Sequence, residues 1–229
     1  GRKPQIWNAV TGEISDVTYM TGSRSTYVEM DLKSADALFV VFCGEADKRL
    51  RHRATESLPL QSDTIASPWR VVFGRKMGTP DAIVMDSLKS YIDTTLAIAN
   101  PAEARAIKYF SGTAAYHNRF FLGAVDSTRT YRIDLGTVNY MAEVWANGKY
   151  CGLTWFSPHS IDISAAVKEG ENTLEIRVTN PWKNRICGDK LAKAGETTYT
   201  WTSYPWSKKT KNILMPAGLL GPVTITLYK

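Results

Sequence analysis

An all-β sandwich or jelly roll is the fold this sequence predicts, and three observations carry it. From residue 108 onward, short stretches of alternating apolar and polar residues recur, turn residues separate them, and an Asn147-Gly148 pair sits between two of them. A period of two places one side of a strand in a core and the other in water, and regularly spaced short strands are the pattern of sandwiches. Asn-Gly supplies the two positive φ values of a type I′ hairpin, so its flanking strands should be adjacent and antiparallel. With 44% hydrophobic, 11% aromatic and 22% charged residues among 229, the composition fits a packed globular chain and excludes a disordered, collagenous or coiled-coil one.

Taken in order, residues 16–20, 26–32 and 37–42 read as short antiparallel strands, with a turn at Thr21-Gly22-Ser23. Three such strands barely stand alone, so residues 1–43 are expected to be the terminal strands of a preceding β-sandwich domain. Residues 44–66 show no sustained period and read as a linker. Residues 67–229 are expected to form the jelly roll, opening with Val71-Val72-Phe73. Residues 85–92 show the one plausible short helical period, with Pro80 before it and Asp86 as a cap.

Strands are expected at 113–122, 130–135, 138–146, 149–153, 160–164, 172–179 and 223–228. In the 172–179 strand, Leu174, Ile176 and Val178 share one face, while Glu175, Arg177 and Thr179 share the wet one. Asn180-Pro181 ends that strand, because proline lacks a ladder donor and holds its predecessor extended.

Lys+Arg number 28 against 22 Asp+Glu, a net charge of +6. Residues 1–65 hold 8 basic and 9 acidic side chains, so the rest hold 20 and 13. The excess concentrates in residues 182–211, with Lys183, Arg185, Lys190, Lys193, Lys208, Lys209 and Lys211 against Asp189 and Glu196. That density is well below the runs that bind nucleic acid, which is not an expected partner. No apolar run approaches 18 residues, and the Gly1-Arg2-Lys3-Pro4 start lacks a signal-peptide core, so neither a membrane span nor targeting is expected. Cys43, Cys151 and Cys187 are odd in number and lack CxxC spacing, which disfavours zinc and a disulfide framework. His52, His117 and His159 lie far apart in sequence and read as solvated or hydrogen-bonded side chains.

The series Tyr131-Arg132-Ile133-Asp134-Leu135-Gly136, Ala142 to Gly152 (AEVWANGKYCG), Ile161-Asp162-Ile163-Ser164 and Gly170 to Asn180 (GENTLEIRVTN) resembles the galactose-binding-like jelly roll of family 2 glycoside hydrolases. The flanking words are more specific. Lys108 to Tyr116 (KYFSGTAAY), Asn180 to Asp189 (NPWKNRICGD) and Leu214 to Val223 (LMPAGLLGPV) resemble the C-terminal module of bacterial family 106 α-L-rhamnosidases. Ile6 to Glu13 and Ala37 to Phe42 are similar to the closing strands of the β domain before it. The resemblance implies a large secreted, extracytoplasmic glycosidase whose catalytic barrel lies upstream in the same polypeptide. It also implies a plant or bacterial polysaccharide partner, rhamnose-containing in the closest case.

Glycoside hydrolysis needs two carboxylates held across a sugar, one with a raised pKa. Asp134, Glu143, Asp162, Glu175 and Asp189 are scattered over strands and turns, so no catalytic residue is expected in this chain. A glycan groove has a better candidate in Trp182, Tyr199, Trp201, Tyr204 and Trp206, interleaved with Asn184, Arg185, Asp189, Lys208 and Lys209. Sugar C–H faces stack on rings, and hydroxyls need polar partners. The alternative is that Trp182 and Trp201 plug the end of the sandwich while Tyr204-Pro205-Trp206 packs a loop onto it. Asn184, Arg185 and Asp189 either grip hydroxyls or form a structural set in which Gly188 supplies a positive φ. Trp155 either stands exposed at the sandwich edge or anchors its loop. No cofactor is expected. Calcium occurs in this fold, but no DxDxDG-type loop is present and none is assigned. Three functions remain open at this point: a noncatalytic module of a glycosidase, a stand-alone polysaccharide-binding module, and a ligand-free spacer.

Overall fold

The computed structural model describes residues 1–229 apart from 10–11, 31, 33–36, 47–50, 53–57, 67, 75 and 203–212. It divides into two compact units, Gly1–Leu58 and Pro59–Lys229.

The smaller unit contains β1 (Arg2–Asn8), β2 (Ile14–Asp16), β3 (Tyr19–Thr21), β4 (Thr26–Val28), β5 (Leu38–Glu45) and β6 (Arg51–His52). They form two three-stranded sheets, β2-β1-β5 and β4-β3-β6. Residues directly opposite in an antiparallel pair share a face. Ile6 therefore sits beside Val40 on one face, and Trp7 beside Phe39 and Ile14 on the other. The second row is open, with Ile14, Trp7 and Phe39 exposed to 54%, 39% and 61%.

The larger unit contains β7 (Pro59–Thr64), β8 (Trp69–Phe73), β9 (Ala82–Met85), α1 (Pro101–Lys108), β10 (Gly112–Leu122), β11 (Thr130–Asp134), β12 (Thr137–Asn139), β13 (Met141–Ala146), β14 (Lys149–Thr154), β15 (Ser160–Asp162), β16 (Gly170–Asn180), α2 (Lys183–Lys190), β17 (Gly218–Gly221) and β18 (Thr224–Tyr228). A six-stranded sheet of order β14-β13-β16-β10-β8-β9 and a four-stranded sheet of order β15-β11-β18-β7 are both antiparallel. Their apolar faces meet in one core. Val71, Tyr116, Val144, Leu174, Ile176 and Val178 come from the first sheet, and Tyr131, Ile133, Ile161 and Ile225 from the second. The all-β sandwich expected from the strand spacing is therefore the observed fold.

The hairpin turn is as expected, with Asn147 at φ 52° and Gly148 at φ 76°. The asparagine does more than tolerate the turn. Its Nδ2 donates to Ala166 O at 2.9 Å and Asn172 Oδ1 at 2.7 Å, and its Oδ1 accepts from Thr173 N at 3.0 Å.

Several expectations differ from the structure, among them the 16–20 strand, which divides into the end of β2 and the start of β3 in different sheets. Residues 59–64 were assigned to the linker, yet β7 forms the edge of the four-stranded sheet, with Thr64 opposite Thr224 and Pro59 opposite Tyr228. Every residue of β7 is exposed, so no burial period marks it; an edge strand is held by its ladder alone. The 85–92 helix is absent, because Met85 ends β9 and turns follow. Helix α1 begins instead at Pro101, where Asn100 Oδ1 accepts from Ala102 N at 2.9 Å and Glu103 occupies the first turn. Residues 138–146 divide into β12 and β13, which pair with different neighbours.

At the centre of the core, Tyr116 Oη donates to Tyr91 Oη at 2.7 Å and accepts from Leu219 N at 3.1 Å. Burial pushes both phenols above the ordinary 10.0. A pKa raised in the folded state means that the unfolded chain loses its proton first. The stabilisation is therefore complete below about pH 10 and falls as pH rises further. Urea denaturation across an alkaline series should show that decline, with Tyr116→Phe making the slope shallower by about 1.4 kcal/mol per pH unit.

Candidate functional site

The Gly112–Asn180 pairing brings the start of β10 beside the end of β16. Helix α1, which ends at Lys108, and helix α2, which starts at Lys183, are thereby placed at the same end of the six-stranded sheet. Most of the polar residues singled out from the sequence lie there.

Asn184 is 3% exposed and reads the backbone of one residue in both directions. Its Nδ2 donates to Met215 O at 2.8 Å, and its Oδ1 accepts from Met215 N at 2.9 Å. Arg185 is also buried; its backbone N donates to Ser111 Oγ at 3.2 Å, and its Nη2 lies 2.7 Å from Asp189 Oδ1, one helical turn on. The guanidinium lies over the rings of Tyr109 and Tyr199, with 5.9 and 5.3 Å to the centroids. The other carboxylate oxygen of Asp189 accepts from Tyr199 N at 3.1 Å, Thr200 N at 2.8 Å and Thr200 Oγ1 at 2.6 Å. All three are engaged by partners within the chain. They tie α2 to the strands beneath it and to the segment that follows it.

Gly188 does not have the positive φ expected of it. It is a helical residue, and a Cβ there would meet Tyr109 Cγ and Arg185 Nη2 at 2.6 Å. Close approach, not backbone conformation, is the reason for glycine.

The aromatic candidates stand differently. Trp201 is 88% exposed, Trp155 61%, Trp182 41% and Tyr199 40%. Trp201 therefore plugs nothing. The loop carrying Trp155 is held without it, because Thr154 Oγ1 donates to Phe156 O at 3.2 Å and lies 3.1 Å from His159 Nδ1. Burial lowers the pKa of that imidazole. Tyr204 and Trp206, with Lys208, Lys209 and Lys211, lie outside the described residues.

Beside α2 is a cleft of about 310 Å³ lined by Met77, Ala102, Ala106, Tyr109, Thr197 and Tyr199, with Arg185 and Gly188 also contributing to its wall. At its margin Arg105 Nη1 and Nη2 donate to the two carboxylate oxygens of Glu196 at 2.8 and 3.1 Å. Arg105 and Glu196 were not singled out from the sequence. They are 91 residues apart, and no local pattern joins them.

Among the described residues, the carboxyls of Asp93, Asp126 and Glu196 are held below their ordinary titration, through Thr95, Thr128 and the Arg105 guanidinium respectively. This is opposite to the shift a glycosidase acid requires. Among the described residues, no three His, Cys, Asp or Glu side chains converge on a point where a metal ion would sit.

Two facing antiparallel sheets with helices at one end define a β-sandwich domain. Residues 89–215 match the family described as glycosyl hydrolase 2 galactose-binding domain-like, and the chain belongs to that family. The structure is similar to a rhamnosidase from Novosphingobium sp. PP1Y, with a TM-score of 0.84 and 33% identity, over 100% of this chain and 21% of that one. A Formosa agariphila protein named as a β-glucuronidase is 34% identical over 197 residues, covering 75% of this chain and 16% of that protein. The chain thus spans about a fifth or less of these relatives.

Braces and exposed rings should separate cleanly in urea denaturation. Asp189→Ala leaves a buried guanidinium without its counter-charge and should cost about 3–5 kcal/mol. Trp201→Ala should change stability by less than about 0.5 kcal/mol.

Proposed function

We propose that this chain is a noncatalytic part of a larger, α-L-rhamnosidase-like glycoside hydrolase, with catalysis in another domain of the same polypeptide. The observation that carries this reading is the match, over the whole of this chain, to one fifth of a rhamnosidase. The downward-shifted carboxylates support it, since none of the three is suited to protonate a leaving group. The open apolar row of Ile14, Trp7 and Phe39 supports it as well. A sheet with apolar residues on both faces is a layer awaiting further strands, which the remaining polypeptide would supply. A polysaccharide substrate, plant or bacterial and rhamnose-containing, would be met outside the cytoplasm.

Contact with that polysaccharide is favoured by Trp155 and Trp201, whose rings are open to solvent. A stand-alone binding module would share this feature. The chain should release no p-nitrophenol from p-nitrophenyl α-L-rhamnoside, and measurable turnover would overturn the noncatalytic reading. Titration with rhamnose-containing oligosaccharides should quench tryptophan fluorescence, and Trp201→Ala should reduce that quenching.

A further inference from the structure

We propose that the cleft beside α2 is a binding site for a single uncharged pyranose ring. This rests on the reading that the chain contacts glycan, and it assigns the place and the ligand class. The volume of about 310 Å³ lies at the small end of ligand pockets and is sufficient for a sugar ring.

The lining combines the two surfaces a sugar needs. Tyr109, Tyr199, Met77 and Ala106 offer rings and apolar surface for C–H faces. Arg105 has five N–H groups and commits two of them to Glu196, leaving donors for hydroxyls, and Thr197 and Tyr199 each bring a hydroxyl.

Charge selects the class of sugar. Both cations of the cleft are already matched, Arg185 by Asp189 and Arg105 by Glu196. A uronate carboxylate would have to displace Glu196 or lie beside it, whereas a neutral ring disturbs neither pair.

The walls are also set before any ligand arrives. Asp189 holds the backbone N–H groups of Tyr199 and Thr200, and the Tyr109 and Tyr199 rings flank the Arg185 guanidinium. Gly188 keeps this packing close, where a Cβ would force the Tyr109 ring and Arg185 apart. Walls held in this way lose little entropy on binding. Trp201, two residues beyond Tyr199 and 88% exposed, is available to a second sugar unit outside the cleft.

The test is a two-dimensional ¹⁵N NMR titration of the whole chain with methyl α-L-rhamnopyranoside, methyl β-D-galactopyranoside and methyl β-D-glucopyranosiduronic acid. At least one neutral glycoside should give saturable shifts centred on Tyr109, Glu196, Thr197 and Tyr199, and the uronate should give weaker ones. Tyr199→Ala should weaken binding about tenfold. Ala102→Trp, at an exposed position of the first turn of α1, should block the cleft without touching the Arg185 packing and abolish the shifts. The proposal is overturned if no neutral glycoside moves the cleft amides, if the uronate binds more tightly, or if binding survives Ala102→Trp. Binding lost in Trp201→Ala but retained in Ala102→Trp would remove the cleft and leave glycan contact standing. Hydrolysis of an aryl glycoside would remove the noncatalytic reading and leave the cleft standing.

Discussion

Eleven consecutive residue pairs join β10 to β16, from Gly112 opposite Asn180 to Leu122 opposite Gly170, and the larger unit is arranged around that ladder. Its central positions on the inward face, Ala114, Tyr116, Ile176 and Val178, are fully buried. Strand β8 extends the sheet on one side and β13 on the other. Because the register places Gly112 against Asn180, whatever precedes β10 and follows β16 must share one end of the sandwich. That constraint, and not a property of either helix alone, brings α1 and α2 to the same place. Helix α2 contains a glycine and has no side-chain cap, so eight residues of this composition would not hold a helix unaided.

What holds α2 is the set of buried contacts beneath it. A carboxylate and a guanidinium withdrawn from water are costly unless each finds good partners. Asp189 lies against the Arg185 guanidinium as an ion pair on one oxygen and accepts from three donors on the other, while Arg185 Nε and Asp189 Oδ1 make no hydrogen bond among the described residues. The pair therefore specifies one arrangement of helix, following segment and aromatic rings, since any other leaves a buried charge unmet. Specificity of this kind makes a well-shaped cleft from a segment, 191–202, that has no regular secondary structure.

The sandwich was legible because its signals are local and periodic. The alternation of Leu174, Ile176 and Val178 and the Asn147-Gly148 turn both report on neighbours within a few residues, and both are found as read. Strand β7 was not legible, since Pro59 to Thr64 bury nothing and are made a strand only by a partner 160 or so residues away. The end of the sandwich was half legible. The sequence drew attention to Asn184, Arg185 and Asp189, whose residue types admit either sugar contact or structural bonding, but it did not show which groups they bond. Met215, Ser111 and Thr200 supply those groups, and nothing local to α2 names them. Arg105 and Glu196 were invisible for the same reason, a contact across 91 residues.

Strand order in the four-stranded sheet bears on how the chain is made. Strand β18, the last in sequence, lies between β11 and β7, the first strand of its unit. During synthesis from the N-terminus, β7 and β11 leave the ribosome with a gap between them that only residues 224–228 fill. The six-stranded sheet can assemble once β16 has emerged, but its partner layer must wait for translation to pass residue 228. Until then Ile133 and Tyr131 line half of a core with no lid, a surface that chaperones and other nascent chains can reach.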